Sequence, residues 1–100
     1  MTKQTGLIIY YRLNDMSQKE KTNFCRKFLG FKDKSTFGRY TYQREGFITH
    51  IPHIRISSSL FIIQKKHYKE IDEFFKTHKV NILVREIILE ETDKEQFGLV

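Results

Sequence analysis

The sequence predicts an α+β sandwich, an antiparallel sheet with two helices on one face, in the element order βαββαβ. Three observations predict it. Two stretches carry apolar residues at helical spacing: Phe24, Cys25, Phe28 and Leu29 in one, and Tyr68, Ile71, Phe74, Phe75 and His78 in the other. Each is bracketed by apolar or alternating runs of strand length. One hundred residues, 39% hydrophobic and 30% charged with a single proline, suit one domain with a small core.

The elements follow in order. Residues 6–13 (GLIIYYRL) are apolar on both faces, which suits a central strand covered on both sides. Asn14 and Asp15 break it, and Ser17 with Glu20 forms a capping box that starts the first helix. Gly30 is a natural stop for that helix. The polar, basic residues 31–38 read as a loop. Residues 39–44 (RYTYQR) alternate as a second strand, with Tyr40 and Tyr42 on one face and Arg39, Thr41 and Gln43 on the other. Glu45-Gly46 marks a turn or bulge, and residues 47–56 are extended or looping. Pro52 cannot donate to a ladder, so its surroundings belong at an edge or in a connection. Residues 58–64 (SSLFIIQ) form a third strand, 65–78 the second helix and 80–89 (VNILVREIIL) the last strand. Thr92 with Glu95 is a further capping box, so the acidic tail 91–100, beyond a core of 6–90, adds one helical turn or frays. The ferredoxin-like arrangement is the simplest fold joining these six elements.

Several function classes are set aside at once. No apolar run approaches the roughly 18 residues of a membrane span, and no charged-then-apolar leader opens the chain, so a soluble cytoplasmic protein with no membrane partner is expected. The single cysteine, Cys25, cannot form an internal disulfide, which fits a reducing compartment. On the apolar side of the first helix, Cys25 reads as a small buried hydrophobe. No complete catalytic signature is present, and no cofactor or resident metal is expected. A non-enzymatic module is the leading reading.

The charge pattern says more. Up to Lys79, sixteen basic residues stand against seven acidic, a net of +9. From Val80 onward, two basic stand against five acidic, a net of −3. Such asymmetry suits a nucleic-acid partner, because cations that neutralise phosphates release counterions. The plainer account is a lysine-rich solvated surface; the chain has no alanine and many Ile, Lys and Phe, as an AT-rich coding sequence would produce. The densest cluster runs from Arg26 to Arg44. It holds Arg26, Lys27, Lys32, Lys34, Arg39 and Arg44 against Asp33 alone, interleaved with Phe31, Phe37, Tyr40 and Tyr42. Cations pair with phosphates and flat rings stack on unpaired bases, so RNA is favoured over DNA. Arg12 joins this set: with Tyr10 it would lie on the open sheet surface, beside Tyr40 or Arg39 of a neighbouring strand.

Three resemblances follow from particular residues. The first strand, with Tyr10 followed by Leu13-Asn14, resembles the first-strand motif of RNA-recognition domains, though no Gly-Phe-Gly-Phe pattern accompanies it. In size, element order and Asn14-Asp15 after the first strand, the chain resembles the small CRISPR-adaptation nuclease family. That resemblance implies a metal-binding role for Asp15, completed by a second carboxylate that a symmetry mate could supply. Residues 37–46, followed by Ile51-Pro52-His53, resemble small basic archaeal proteins.

Two alternatives therefore stand beside the binding module. A metal-dependent nuclease of ferredoxin-like fold would use Asp15, with His50 and His53 near the scissile phosphate, three residues apart as metal ligands can be. A protein-interaction or dimerisation adaptor would dock a protein partner or a second copy through the acidic end. A chain this short also suits a subunit of a larger ribonucleoprotein or nucleoprotein complex.

Overall fold

Thr5, Ile8, Ile9, Tyr10 and Tyr11 are β-branched or aromatic, and with Gly6 and Leu7 they form β1, Thr5–Tyr11. The computed structural model describes residues 4–34 and 41–99, with the side chains of 33, 34, 41 and 42 outside that description. The chain divides into two compact units, Met1–Leu13 with Pro52–Val100, and Asn14–Ile51. Among the described residues, no helix is long and apolar enough to cross a membrane.

The first unit is built on a four-stranded antiparallel sheet. Its strands are β1, β4 (His53–Ser57), β5 (Leu60–Ile63) and β6 (Ile82–Ile88), in the order β4-β5-β1-β6. The expectation of a central first strand is met. The segment after Pro52 does run at an edge, as a residue without an N–H requires. The register sets Ile9 opposite Phe61 and Leu7 opposite Ile63, so these residues share a face with Tyr11. α2 (Tyr68–Thr77), entered through a 3₁₀ turn at Lys65–His67, covers that face. The ring of its Phe75 lies 5.3 Å from Tyr11, and Phe61 lies 6.3 Å away on the same side. Ile9, Ile63, Ile71 and Phe75 are almost wholly buried, and each fully buried side chain of this size contributes roughly 1.5–3 kcal/mol.

Two of the boundaries that differ from the sequence reading have a clear physical cause. Ser58 and Ser59 form the β4–β5 turn rather than the start of a strand, because Tyr11 claims both of their carbonyls. Its hydroxyl donates to Ser58 at 2.9 Å and its N–H to Ser59 at 3.1 Å. At the other end, α3 (Glu91–Gln96) starts one position after Glu90, whose N–H donates to Asp93 Oδ2 at 3.0 Å. The cap is thus Glu90–Asp93 and not Thr92–Glu95, since buried Leu89 ends the strand just before it.

The second unit opens with α1 (Gln18–Leu29). Its start is the expected capping box: Glu20 N–H donates to Ser17 Oγ at 3.2 Å, and Ser17 N–H to Glu20 Oε1 at 3.4 Å. Its stop is also as expected, with Gly30 at φ 82. Phe24 and Phe28 are buried and stack at 5.8 Å, and Phe28 meets Phe47 at 6.4 Å. Phe47–His50 is a 3₁₀ turn rather than an extended run, held where Gly46 N–H donates to Thr49 Oγ1 at 3.0 Å.

The main correction lies between these features. The stretch read as a loop from 31 to 38 begins as a strand, β2 (Gly30–Lys34), antiparallel to β3 (Thr41–Glu45) in a separate two-stranded sheet. Residues 41–44 of the alternating segment therefore pair with residues just before them, and β4 is the strand beside β5. The described residues form six strands and three α-helices, so the minimal six-element order falls short by two strands and the terminal helix.

Candidate nucleic-acid interface

The predicted site residues fall into both units. Arg12 follows β1 and is exposed; its Nε donates to the Tyr10 hydroxyl at 3.1 Å, and its guanidinium lies 5.7 Å from that ring's centroid. Tyr10 and Ile8 alternate onto the face opposite α2, and both are half-buried. Their neighbours there differ from those expected. Tyr10 sits between Leu60 and exposed Leu83, because β5 and β6, and not the tyrosine-bearing strand, flank β1. Arg39 and Tyr40 lie outside the described residues, as does Phe37.

The other cations cluster in the second unit. The last turn of α1 carries Arg26 and Lys27, both exposed, where the helix dipole favours positive charge. Gly30 then reverses the chain; its N–H donates to the Arg26 carbonyl and its backbone passes into β2. This reversal brings the Arg26 guanidinium over the Phe31 ring, 4.9 Å from its centroid. Across the ladder Phe31 pairs with Arg44, and Lys32 with Gln43. Lys32 and Arg44 are exposed. Gln43 Nε2 donates to the Phe31 carbonyl at 3.4 Å, which ties the two strands at that level. Lys34 pairs with Thr41 and Tyr42 with Asp33 in the backbone register, their side chains lying outside the description.

Two glycines make this packing possible. A Cβ on Gly30 would run into the Arg44 carbonyl oxygen, and one on Gly46 would run into the Phe28 carbonyl oxygen and the Gly30 nitrogen. The helix end and the hairpin therefore touch backbone to backbone, and no side chain fits between them.

In the sheet unit, three of the six described lysines pair with carboxylates, while Lys66, Lys69 and Lys79 face none within ion-pair distance among the described residues. There, Lys65 pairs with Glu86 at 2.6 Å, Lys76 with Asp72 at 2.9 Å and Lys94 with Glu91 at 3.2 Å. The hydrogen bond and charge of Lys65 hold the Glu86 carboxyl below its ordinary range, and those of Asp72 raise Lys76. In the second unit, among the described residues, Arg26, Lys27 and Lys32 face no carboxylate within ion-pair distance.

The residues named for nuclease chemistry each have different neighbours. Asp15 is exposed in the turn before α1. His50 Nε2 lies 2.9 Å from Glu45 Oε2, both on the surface. His53 begins β4 and meets Phe61 edge-on at 6.4 Å. Among the described residues, no three His, Cys, Asp or Glu side chains group as metal ligands would.

One feature was not legible in the sequence. Cys25 is half-buried rather than part of the core. It lines a groove of about 280 Å³ along α1 with Gln18, Lys21, Thr22, Arg26, Leu29 and Gly30. Only the helix-net spacing of 18, 22, 25 and 29 hinted at a second stripe beside the Phe24–Phe28 face. Set against protein-family models, curated proteins and solved structures, the chain matches none significantly.

Proposed function

We propose that the protein is a nucleic-acid-binding module that favours RNA over DNA, acts without catalysis and works as a subunit of a larger nucleoprotein complex. One observation carries this reading: Arg26, Lys27 and Lys32 lie exposed close together in the chain, face no carboxylate within ion-pair distance among the described residues, and Arg26 lies over the Phe31 ring. Exposed cations that no carboxylate neutralises, set beside an aromatic ring, suit phosphates and unpaired bases. The element order along the chain is read as ferredoxin-like, with the β2–β3 hairpin inserted in sequence between α1 and β4. The central β1 of the first unit, flanked by the strands before and after α2, supports that reading.

The test is a titration of fluorescently labelled single-stranded RNA and duplex DNA at two salt concentrations. With about four phosphates met, a single strand should lose affinity roughly 50-fold between about 50 and 200 mM salt. Lys27→Glu combined with Lys32→Glu should weaken RNA binding at least tenfold, while Asp15→Ala leaves it unchanged. An affinity insensitive to both salt and the double substitution would overturn the reading.

A further inference from the structure

We infer that the groove along α1 is the subsite that receives an unpaired base of single-stranded RNA, with Lys21 and Arg26 holding the phosphates on either side. This rests on the RNA-binding reading above and gives it a place on the molecule.

The helix has two stripes. Phe24 and Phe28 turn into the core. At 3.6 residues per turn, Gln18, Thr22, Cys25 and Leu29 line up as a second stripe, with Lys21 on one flank and Arg26 on the other. A helix facing only water has no use for a half-buried Cys25 and Leu29 there. The groove they line carries a cation on each flank and no carboxylate among its lining residues. An apolar floor between two positive rails is complementary to a flat base whose backbone bears negative charge on both sides. The Gln18 amide, at one end of the groove, supplies both a donor and an acceptor for a base edge. On its flank of the groove Arg26 is already held over the Phe31 ring, so its guanidinium is positioned before any ligand arrives. An acidic peptide would satisfy the rails, but it would leave the floor without a flat partner.

Cys25 is the chain's only cysteine, so the unaltered protein reports on its own groove. The experiment follows the rate at which N-ethylmaleimide, an uncharged reagent that the flanking cations do not attract, alkylates Cys25. It is run with saturating octauridylate, with inorganic polyphosphate at equal phosphate concentration, and with neither. Octauridylate is expected to slow alkylation at least tenfold, and polyphosphate less than twofold. Fluorescence anisotropy on the same samples measures binding independently. Bound octauridylate with an unchanged rate would overturn the subsite and leave RNA binding standing. Equal protection by polyphosphate would reduce the groove to an anion site and also overturn it. Absence of octauridylate binding would sink both readings together. A matched pair of substitutions adds a second check. Lys21→Glu should weaken octauridylate at least fivefold more than Lys19→Glu, which makes the same charge change on the same helix outside the groove. Equal effects would count against the subsite.

Discussion

Tyr11 shows how one side chain sets both packing and chain path. Its ring meets Phe75 and Phe61, and its hydroxyl donates to the Ser58 carbonyl at 2.9 Å, which fixes the β4–β5 turn. Tyr11→Phe keeps the ring and removes only the donor, so stability should fall by about 1 kcal/mol. Urea denaturation should show a lower midpoint with an unchanged slope. Gly46 is the opposite case, a residue valued for what it lacks. Its φ of −102 suits any side chain, but a Cβ there meets backbone atoms of Phe28 and Gly30 that cannot step aside. Gly46→Ala should therefore cost more than about 3 kcal/mol, beyond the range of ordinary surface changes. A thermal melt within a few degrees of the unaltered protein would show that the two backbones can part cheaply.

At the scale of elements, α1 is the best specified. The Ser17–Glu20 box, the Phe24–Phe28 stripe and the Gly30 stop are all contacts within a few residues. Ser17→Ala should lower stability by about 1 kcal/mol, seen as an earlier thermal midpoint. The link between Lys65 and β6 gives a pH signature. Because Lys65 lowers the Glu86 pKa in the folded state, this pair stabilises fully above the ordinary carboxylate pKa, and the gain fades as pH falls through the lower folded value. Between about pH 5 and 3, the unaltered protein should lose more stability than Lys65→Met does. Parallel losses in the two proteins would mean that the pair is too solvated to matter. The hairpin was less legible. Residues 30–34 (GFKDK) carry two lysines and an aspartate and lack the apolar alternation of a strand, so only their partner at 41–45 makes them one.

On the whole molecule, charge and exposure separate. Carboxylates pair with three lysines of the sheet unit, Lys65, Lys76 and Lys94, while the net positive segment from Arg26 to Arg44 belongs to the second unit. The sheet ends at β6, an edge strand with Leu83 49% and Ile88 57% exposed. Edge strands of this kind invite pairing with other chains. Leu83→Lys should reduce light scattering on heating concentrated protein, while the thermal midpoint moves by no more than a degree or two. Unchanged scattering would place the association elsewhere.

The sequence alone determined the two long helices, the central first strand, the edge position after Pro52 and the asymmetry of charge. All of these rest on spacing within a few residues or on composition. Only the tertiary structure decided which strands flank β1 and where Cys25 lies. The tyrosine strand was expected beside Tyr10, and Leu60 and Leu83 stand there instead. Strand pairing joins residues some fifty or more positions apart through backbone hydrogen bonds that every residue type can make, so no local pattern names the partner.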